Sequence, residues 1–289
     1  MAGTLYLVAT PIGNLEDITL RAVRILKEAD LIACEDTRTS SVLMHHCGID
    51  TPLISYHKFN EEERGDELVS KLLLGQNIAL ITDAGMPAIS DPGEVLVKKC
   101  MDSHIPVTAV PGPSACVTAL ALSGADTRRF SFEGFLPQEN KEKKQALERI
   151  AADTRTVILY EAPHRLLRTL RDLKDALGGE RTLSLCRELT KKYESVQRMT
   201  INEALAMYGD DQTDDTSVKP RGEYVLVVDG KSRNELAAEK AAGWMDMDIP
   251  SHVALYEAEG LDHKAAMKAA AKDRGLSRRD VYQALLNRP

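Results

Sequence analysis

Leu5-Tyr-Leu-Val-Ala-Thr-Pro-Ile-Gly-Asn14 carries an apolar strand, Leu5–Thr10, straight into a Pro/Gly loop. The pattern returns twice. Asn77–Thr82 runs into Asp83-Ala-Gly-Met-Pro87 and Ser90-Asp-Pro-Gly93, and Ile105–Val110 runs into Pro111-Gly-Pro-Ser-Ala115. Between these runs lie a short strand, Leu31–Cys34, and helical segments at Ala22–Ala29, Ser41–Cys47, Glu94–Asp102 and Ser114–Leu122. Such alternation predicts β-α units on a largely parallel, doubly wound sheet. In open α/β sheets ligands sit in the crevice outside the carboxyl ends of the strands. One Pro/Gly loop alone reads as a tight turn, whereas three at strand ends predict a walled pocket with accessible backbone groups. None of the three loops holds Lys or Arg, so a phosphate-bearing ligand would lack its usual cation there. A cationic ligand, or a zwitterionic and apolar one, fits better.

Working outward, the pattern changes between Ser123 and Gln138, where a loop-like stretch precedes an alternating edge strand, Phe130–Phe135. A second α/β domain is expected from there: a polar helix over Lys141–Ala152, a strand over Thr156–Tyr160 and a helix over His164–Leu177 closed by Gly178-Gly179. Strands over Thr182–Cys186 and Tyr224–Val228 follow. The polar stretch Gly209–Pro220 reads as a mobile loop. Beyond Ser232 the pattern is helical, and Lys264–Lys272, Gly275, Ser277 and Arg278–Leu286 have the order of a helix-turn-helix, a form that on pattern alone reads as plain packing ahead of nucleic-acid binding. The expected division is 1–123, 124–232 and 233–289.

With 289 residues, 43% hydrophobic and 28% charged, the chain is globular and long enough for two cores. A net charge of −7 argues against coating nucleic acid or membrane by bulk cationic charge. The acidity is local, because residues 1–127 hold 9 Lys+Arg against 17 Asp+Glu and the remainder is close to neutral. The tail from Lys264 is basic. Five widely spaced cysteines and no His-Glu-x-x-His pair argue against a disulfide framework or a metal site and fit a reducing cytoplasm. No stretch reaches the ~18 apolar residues of a membrane span. The dinucleotide, P-loop and α/β-hydrolase glycine motifs are absent.

Seven motifs occur in order: Thr10-Pro-Ile-Gly-Asn-Leu-Glu-Asp-Ile-Thr-Leu-Arg-Ala22, Cys34-Glu-Asp-Thr-Arg38, Asp83-Ala-Gly-Met-Pro87, Val110-Pro-Gly-Pro-Ser-Ala115, Tyr160-Glu-Ala-Pro-His-Arg165, Arg187-Glu-Leu-Thr-Lys191 and Arg221-Gly-Glu-Tyr-Val225. Together they resemble the small-subunit ribosomal RNA methyltransferases of the tetrapyrrole methylase superfamily. The resemblance implies two α/β domains with S-adenosylmethionine in the cleft between them, a C-terminal helical appendage and a homodimer. It also implies methylation of the ribose 2′-hydroxyl of a cytidine in the decoding region of the small-subunit RNA, within the 30S particle. It carries donor binding to Pro11, Ile12, Gly13, Asp83, Gly85, Met86, Ile89, Ser114 and Ala115, with Tyr160, Glu161 and Leu189 closing from the second domain. One position departs: the family's usual Asp-Ala-Gly-Thr-Pro has Met86 here, a soft apolar filler that cannot donate the hydrogen bond of a hydroxyl.

Removing the 2′-hydroxyl proton needs a carboxylate or His near the methyl group. Glu35 and Asp36 are the expected catalytic pair, with His57 and Glu188 behind them. Each also has an ordinary role open to it: Glu35 or Asp36 can cap the helix near Thr37, Glu188 can pair Arg187 or Lys191, and His57 can be a surface loop residue. RNA contact is expected at Arg38, Arg165, Lys191 and Lys192, with Lys58, Arg168, the Lys141–Lys144 run and the basic tail as further cations. Tyr193 and Phe59 could stack on an unpaired base. Two rival readings remain. One is a small-molecule methyltransferase of the tetrapyrrole type, opposed by the basic tail and the lack of a Gly-Asp-Pro second loop. The other is a non-enzymatic RNA-binding protein with a vestigial pocket.

Overall fold

A computed structural model describes residues 1–209 and 219–286, so most of the loop expected over Gly209–Pro220 lies outside the described residues. The chain divides into two compact units, 1–230 and 231–289.

The larger unit begins with five strands and five helices: β1 (Leu5–Val8), α1 (Leu20–Glu28), β2 (Leu31–Cys34), α2 (Thr37–Cys47), β3 (Leu53–Ser55), α3 (Glu61–Leu73), β4 (Ile78–Leu80), α4 (Glu94–Asp102), β5 (Val107–Val110) and α5 (Ala115–Leu122). The strands pair in parallel in the order β3-β2-β4-β1-β5. Because the sheet is covered on both faces, its strands are short apolar runs without strict alternation. One face packs Leu26, Ile32, Ile81 and Val110 together, and the other packs Leu5, Tyr56, Leu68, Leu80 and Leu96. Helix starts are capped where the sequence supplies an acceptor: Thr19 accepts from the Ala22 N–H and Asp36 from the Arg38 N–H. Parallel pairing places the loops after β1, β2, β4 and β5 along one edge.

A second sheet follows, built from β6 (Phe130–Phe135), β7 (Thr156–Glu161), β8 (Thr182–Arg187), β9 (Ser195–Thr200) and β10 (Tyr224–Val228), with helices α6 (Asn140–Ala152), α7 (Leu166–Leu177) and α8 (Ile201–Tyr208). Its order is β6-β7-β10-β8-β9. This sheet is mixed, unlike the parallel first one: only β6 and β7 pair in parallel, while β10 is antiparallel to both its neighbours and β8 to β9. The cause is connectivity, since β8 and β9 form a hairpin and β10 enters last between β7 and β8. All five residues of β10 are buried, a continuous apolar run that reads alike in either direction. One face of this sheet is covered by α6, α7 and α8. The other meets α5 of the first sheet, through Cys116, Ala119 and Leu120 against Ile158, Cys186, Val225 and Val227. That contact joins the two α/β layers and leaves a cleft beside it.

The smaller unit is helical: α9 (Arg233–Met245), α10 (Ile249–Ala258), α11 (His263–Arg274) and α12 (Arg278–Leu286) around Val253, Tyr256, Ala266, Ala270 and Val281. The α11–α12 turn forms as its residues dictate, with Gly275 left-handed (φ 64°) and Ser277 accepting from the Asp280 N–H. No helix among the described residues is long and apolar enough to cross a membrane.

Candidate functional site

The three Pro/Gly loops meet at Gly85. Thr10 and Gly85 exchange backbone hydrogen bonds (2.9 and 3.1 Å), and the Thr10 hydroxyl donates to the Thr82 carbonyl at 3.1 Å, which ties the first loop to the second. Gly85 has φ 81°, and a Cβ built on it would lie 3.5 Å from Ile12 Cγ2 and 4.0 Å from the Pro113 carbonyl oxygen. Those are ordinary contact distances, so the cost of a side chain there is backbone strain in the left-handed region.

Above them opens a cavity of about 500 Å³, in the size range of a nucleoside-sized ligand site. Of the twelve expected donor-binding residues, Ile12, Gly85, Met86, Ile89, Ser114, Ala115, Tyr160 and Glu161 line it. The other four do not. Pro11 is buried, and Gly13 (φ 144°) lies against Lys191, whose Cγ sits 2.5 Å from where a Cβ would be. Asp83 is exposed and belongs to a carboxylate cluster described below, while Leu189 sits in the apolar layer between the sheets. Tyr160 links α5 of the first sheet to the second sheet: its hydroxyl accepts from the Cys116 N–H at 3.1 Å, at the start of α5, and its ring packs edge-on against Phe132 and Phe135. Burial pushes that phenol up to about 12.

The lining is charge-selective. It holds Asp91, Glu161 and Glu223 and neither Lys nor Arg, with Ile12, Met86, Ile89 and Phe135 as apolar walls. The residues present therefore suit a positively charged, partly apolar ligand.

Beside the cavity stands a group of carboxylates from the ends of β2 and β4. The Asp36 amide donates to Asp83 Oδ1 at 3.3 Å. The Asp36 carboxylate is committed elsewhere, since it caps α2 and grips the Arg38 guanidinium at 2.7 and 3.1 Å; that arginine holds it at about 2. Of the expected catalytic pair this leaves Glu35, raised by partial burial and by the nearby Asp83 charge. Asp83 is itself raised, by partial desolvation of its carboxylate and by the Asp36 charge, against the hydrogen bond it accepts from the Asp36 amide. Asp91 stands highest, pushed up to about 7 by burial and then by Glu35 and Asp83. It also lines the cavity.

Asp91 is the residue that sequence reasoning missed. Its tetrapeptide, Ser90-Asp-Pro-Gly93, reads as a turn; what singles it out is a backbone with Ala88 and Ser90 at φ 67° and 70°, strained conformations for residues with side chains. Glu188 takes the ordinary role: partial burial works to raise it, but the Glu223 N–H (3.0 Å) and Lys191 Nζ (3.0 Å) outweigh that and hold it low. His57 is half-buried in a turn where Asn60 accepts from its backbone N–H.

The expected RNA-contacting cations divide. Arg38 is exposed but paired with Asp36, and Lys191 is held between Glu188 and Glu223 (3.0 and 2.8 Å). Lys192 is exposed, 5.5 Å above the exposed Tyr193 ring. Arg165 is half-buried and donates to the Leu136 carbonyl at 2.8 Å.

Comparison with known proteins adds to this geometry. The family profile described as Tetrapyrrole (Corrin/Porphyrin) Methylases matches residues 4–205. Over 280 residues, 97% of this chain and 93% of the relative, the sequence is 48% identical to a protein of Halalkalibacterium halodurans named ribosomal RNA small subunit methyltransferase I. A Synechocystis protein of the same name is 46% identical over 281 residues, 97% of this chain and 96% of its own. Among solved structures, uroporphyrin-III C-methyltransferase from Thermus thermophilus, complexed with S-adenyl homocysteine, shares the fold. Its TM-score is 0.54 at 17% identity, covering 78% of this chain and 97% of that one.

Proposed function

The chain belongs to the tetrapyrrole methylase family, and from that premise we propose that it is an S-adenosylmethionine-dependent methyltransferase acting on small-subunit ribosomal RNA. Its acceptor is the ribose 2′-hydroxyl of a cytidine in the decoding region of the 30S particle, and it works in the cytoplasm as a homodimer. The observation that carries the donor is the cavity lining: three carboxylates, no Lys or Arg, and apolar walls. The RNA acceptor rests on the relatives' names and on coverage of nearly the full length of each chain. Residues 1–123 and 124–232 form the two walls of the donor cleft, and 233–289 the helical appendage.

Bound S-adenosylmethionine supplies a methyl group on a positively charged sulfur. The loops carrying Pro11, Ile12, Gly13, Gly85, Met86, Ile89, Ser114 and Ala115 hold it from the first domain. Tyr160 and Glu161 close over it, with Leu189 packed behind. Fixing methyl and hydroxyl in line supplies much of the acceleration. The proton leaving the 2′-hydroxyl passes to the carboxylate group of Glu35, Asp83 and Asp91, and Asp91 is the acceptor because it faces the cavity and titrates near neutrality. Asp36 positions that group through the hydrogen bond that its backbone N–H donates to Asp83 Oδ1. Arg38, Arg165, Lys191 and Lys192 face the RNA.

The test is transfer of labelled methyl from S-adenosylmethionine by the purified protein. The reading expects label in ribosomal RNA of 30S particles taken from cells lacking the enzyme. Label only on a porphyrinoid, or no donor binding by calorimetry, would overturn it.

A further inference from the structure

A second pocket, of about 410 Å³, opens next to the donor cavity, and His164 lines both. Its charge is of the opposite sign: Lys143, Arg165 and Arg168 line it against a single carboxylate, Asp172. Lys143, only 13% exposed, spends its charge on Asp172 at 2.7 Å. Arg165 is held in place by the Leu136 carbonyl (2.8 Å), and its Nε lies 3.5 Å from Oε1 of the buried Glu161. Arg168 lies three residues further along the first turn of α7, on the same helix face. It is exposed and has no ion-pair partner among the described residues. The turn that carries it lacks a side-chain cap, so the positive end of the helix dipole adds to the arginine charge.

Chemistry then relates the two pockets. In RNA the carbon bearing the 2′-hydroxyl is bonded to the carbon that carries the 3′-phosphodiester. Any site that brings a 2′-hydroxyl to a methyl donor must also house that phosphate. The donor cavity offers it no Lys or Arg. We propose that the Lys143–Arg165–Arg168 pocket binds the phosphodiester next to the target ribose, with Arg168 as its free cation. The proposal rests on the reading of the donor cleft as an RNA ribose methyltransferase site, and it adds a phosphate subsite that orients the ribose with its 2′-hydroxyl toward Asp91.

The experiment measures methyl transfer to undermethylated 30S particles, with KM for the particle determined across a range of chloride concentrations for wild type, Arg168→Gln and Arg168→Lys. Each lost phosphate contact lowers the slope of log affinity against log salt by about 1. Arg168→Gln is expected to raise KM roughly tenfold near physiological salt and to lower that slope by about 1. Arg168→Lys should restore most of the slope, and the calorimetric Kd for S-adenosylmethionine should be unchanged in both. Transfer with an unchanged slope in Arg168→Gln overturns the phosphate subsite and leaves the donor reading standing. Failure of wild type to methylate the particle overturns the donor reading, and the subsite with it. Inorganic phosphate replacing chloride at equal ionic strength should raise KM for the particle competitively in wild type and much less in Arg168→Gln. An equal rise in both would overturn the assignment of Arg168 to a phosphate subsite.

Discussion

Replacing Asp91 by Asn keeps the shape of the side chain and removes its ability to accept a proton. In the wild-type protein the carboxyl stands at about 7, raised by burial and by the neighbouring Glu35 and Asp83 charges. The ionised fraction is then roughly a tenth near pH 6 and roughly nine-tenths near pH 8. If Asp91 receives the 2′-hydroxyl proton, the single-turnover rate at saturating donor rises close to tenfold over that interval and then levels off. Asp91→Asn should lower the plateau by about 10²–10⁴, equivalent to roughly 3–5 kcal/mol of barrier, and flatten the acid limb. Because Glu35 helps hold Asp91 up, Glu35→Gln should move the limb toward lower pH. The assay is methyl transfer to undermethylated 30S particles, quenched within one turnover, from about pH 5.5 to about pH 8.5. A variant within threefold of wild type at every pH, or one that keeps the same acid limb, would refute the assignment.

Stability offers an independent check on the same group. A carboxyl raised in the folded state favours folding fully only below its unfolded value of about 3.9, and that contribution is lost as pH rises through the folded value. Wild type should therefore fall behind Asp91→Asn in urea midpoint between about pH 4 and about pH 7; parallel curves would contradict the burial of this carboxyl. Tyr160→Phe leaves the Cys116 N–H without its acceptor and should cost about 1–3 kcal/mol, read as a lower denaturation midpoint at constant m; an unchanged midpoint would show that the bond contributes nothing. Gly85→Ala forces a side chain to φ 81° where three loops meet, so we expect about 1–3 kcal/mol of strain and weaker donor binding by calorimetry; a wild-type Kd would separate Gly85 from the site.

The first sheet was legible because its strands are separated by amphipathic helices and end in Pro/Gly loops, local signals that survive in a parallel sheet. The three-residue strand β3 and the helix α3 escaped notice: Leu53–Ser55 is too short to show a period, and Glu61-Glu-Glu63 reads as a solvated run before it reads as a helix start. The second sheet's topology was not legible at all. β10 is apolar at every position, so nothing local states whether it runs parallel or antiparallel. Within the site, the loops that touch the cavity carried their own signature, and eight of the twelve expected donor contacts line it. The proton acceptor was harder to see, because the character of Asp91 comes from burial beside Asp83, 8 residues away in the same loop, and Glu35, 56 residues away and brought close only by the pairing of β2 with β4. Asp36 and Glu188 show the converse, since their local spacing to Arg38 and Lys191 already allowed the structural roles they fill.

Mapping ribose methylation along the small-subunit RNA of cells that lack this protein tests the central claim most directly. One cytidine 2′-O-methyl group in the decoding region should be missing, should return with the wild-type gene, and should stay absent when the Asp91→Asn gene is supplied. An unchanged methylation map in the cells without the protein would contradict the account.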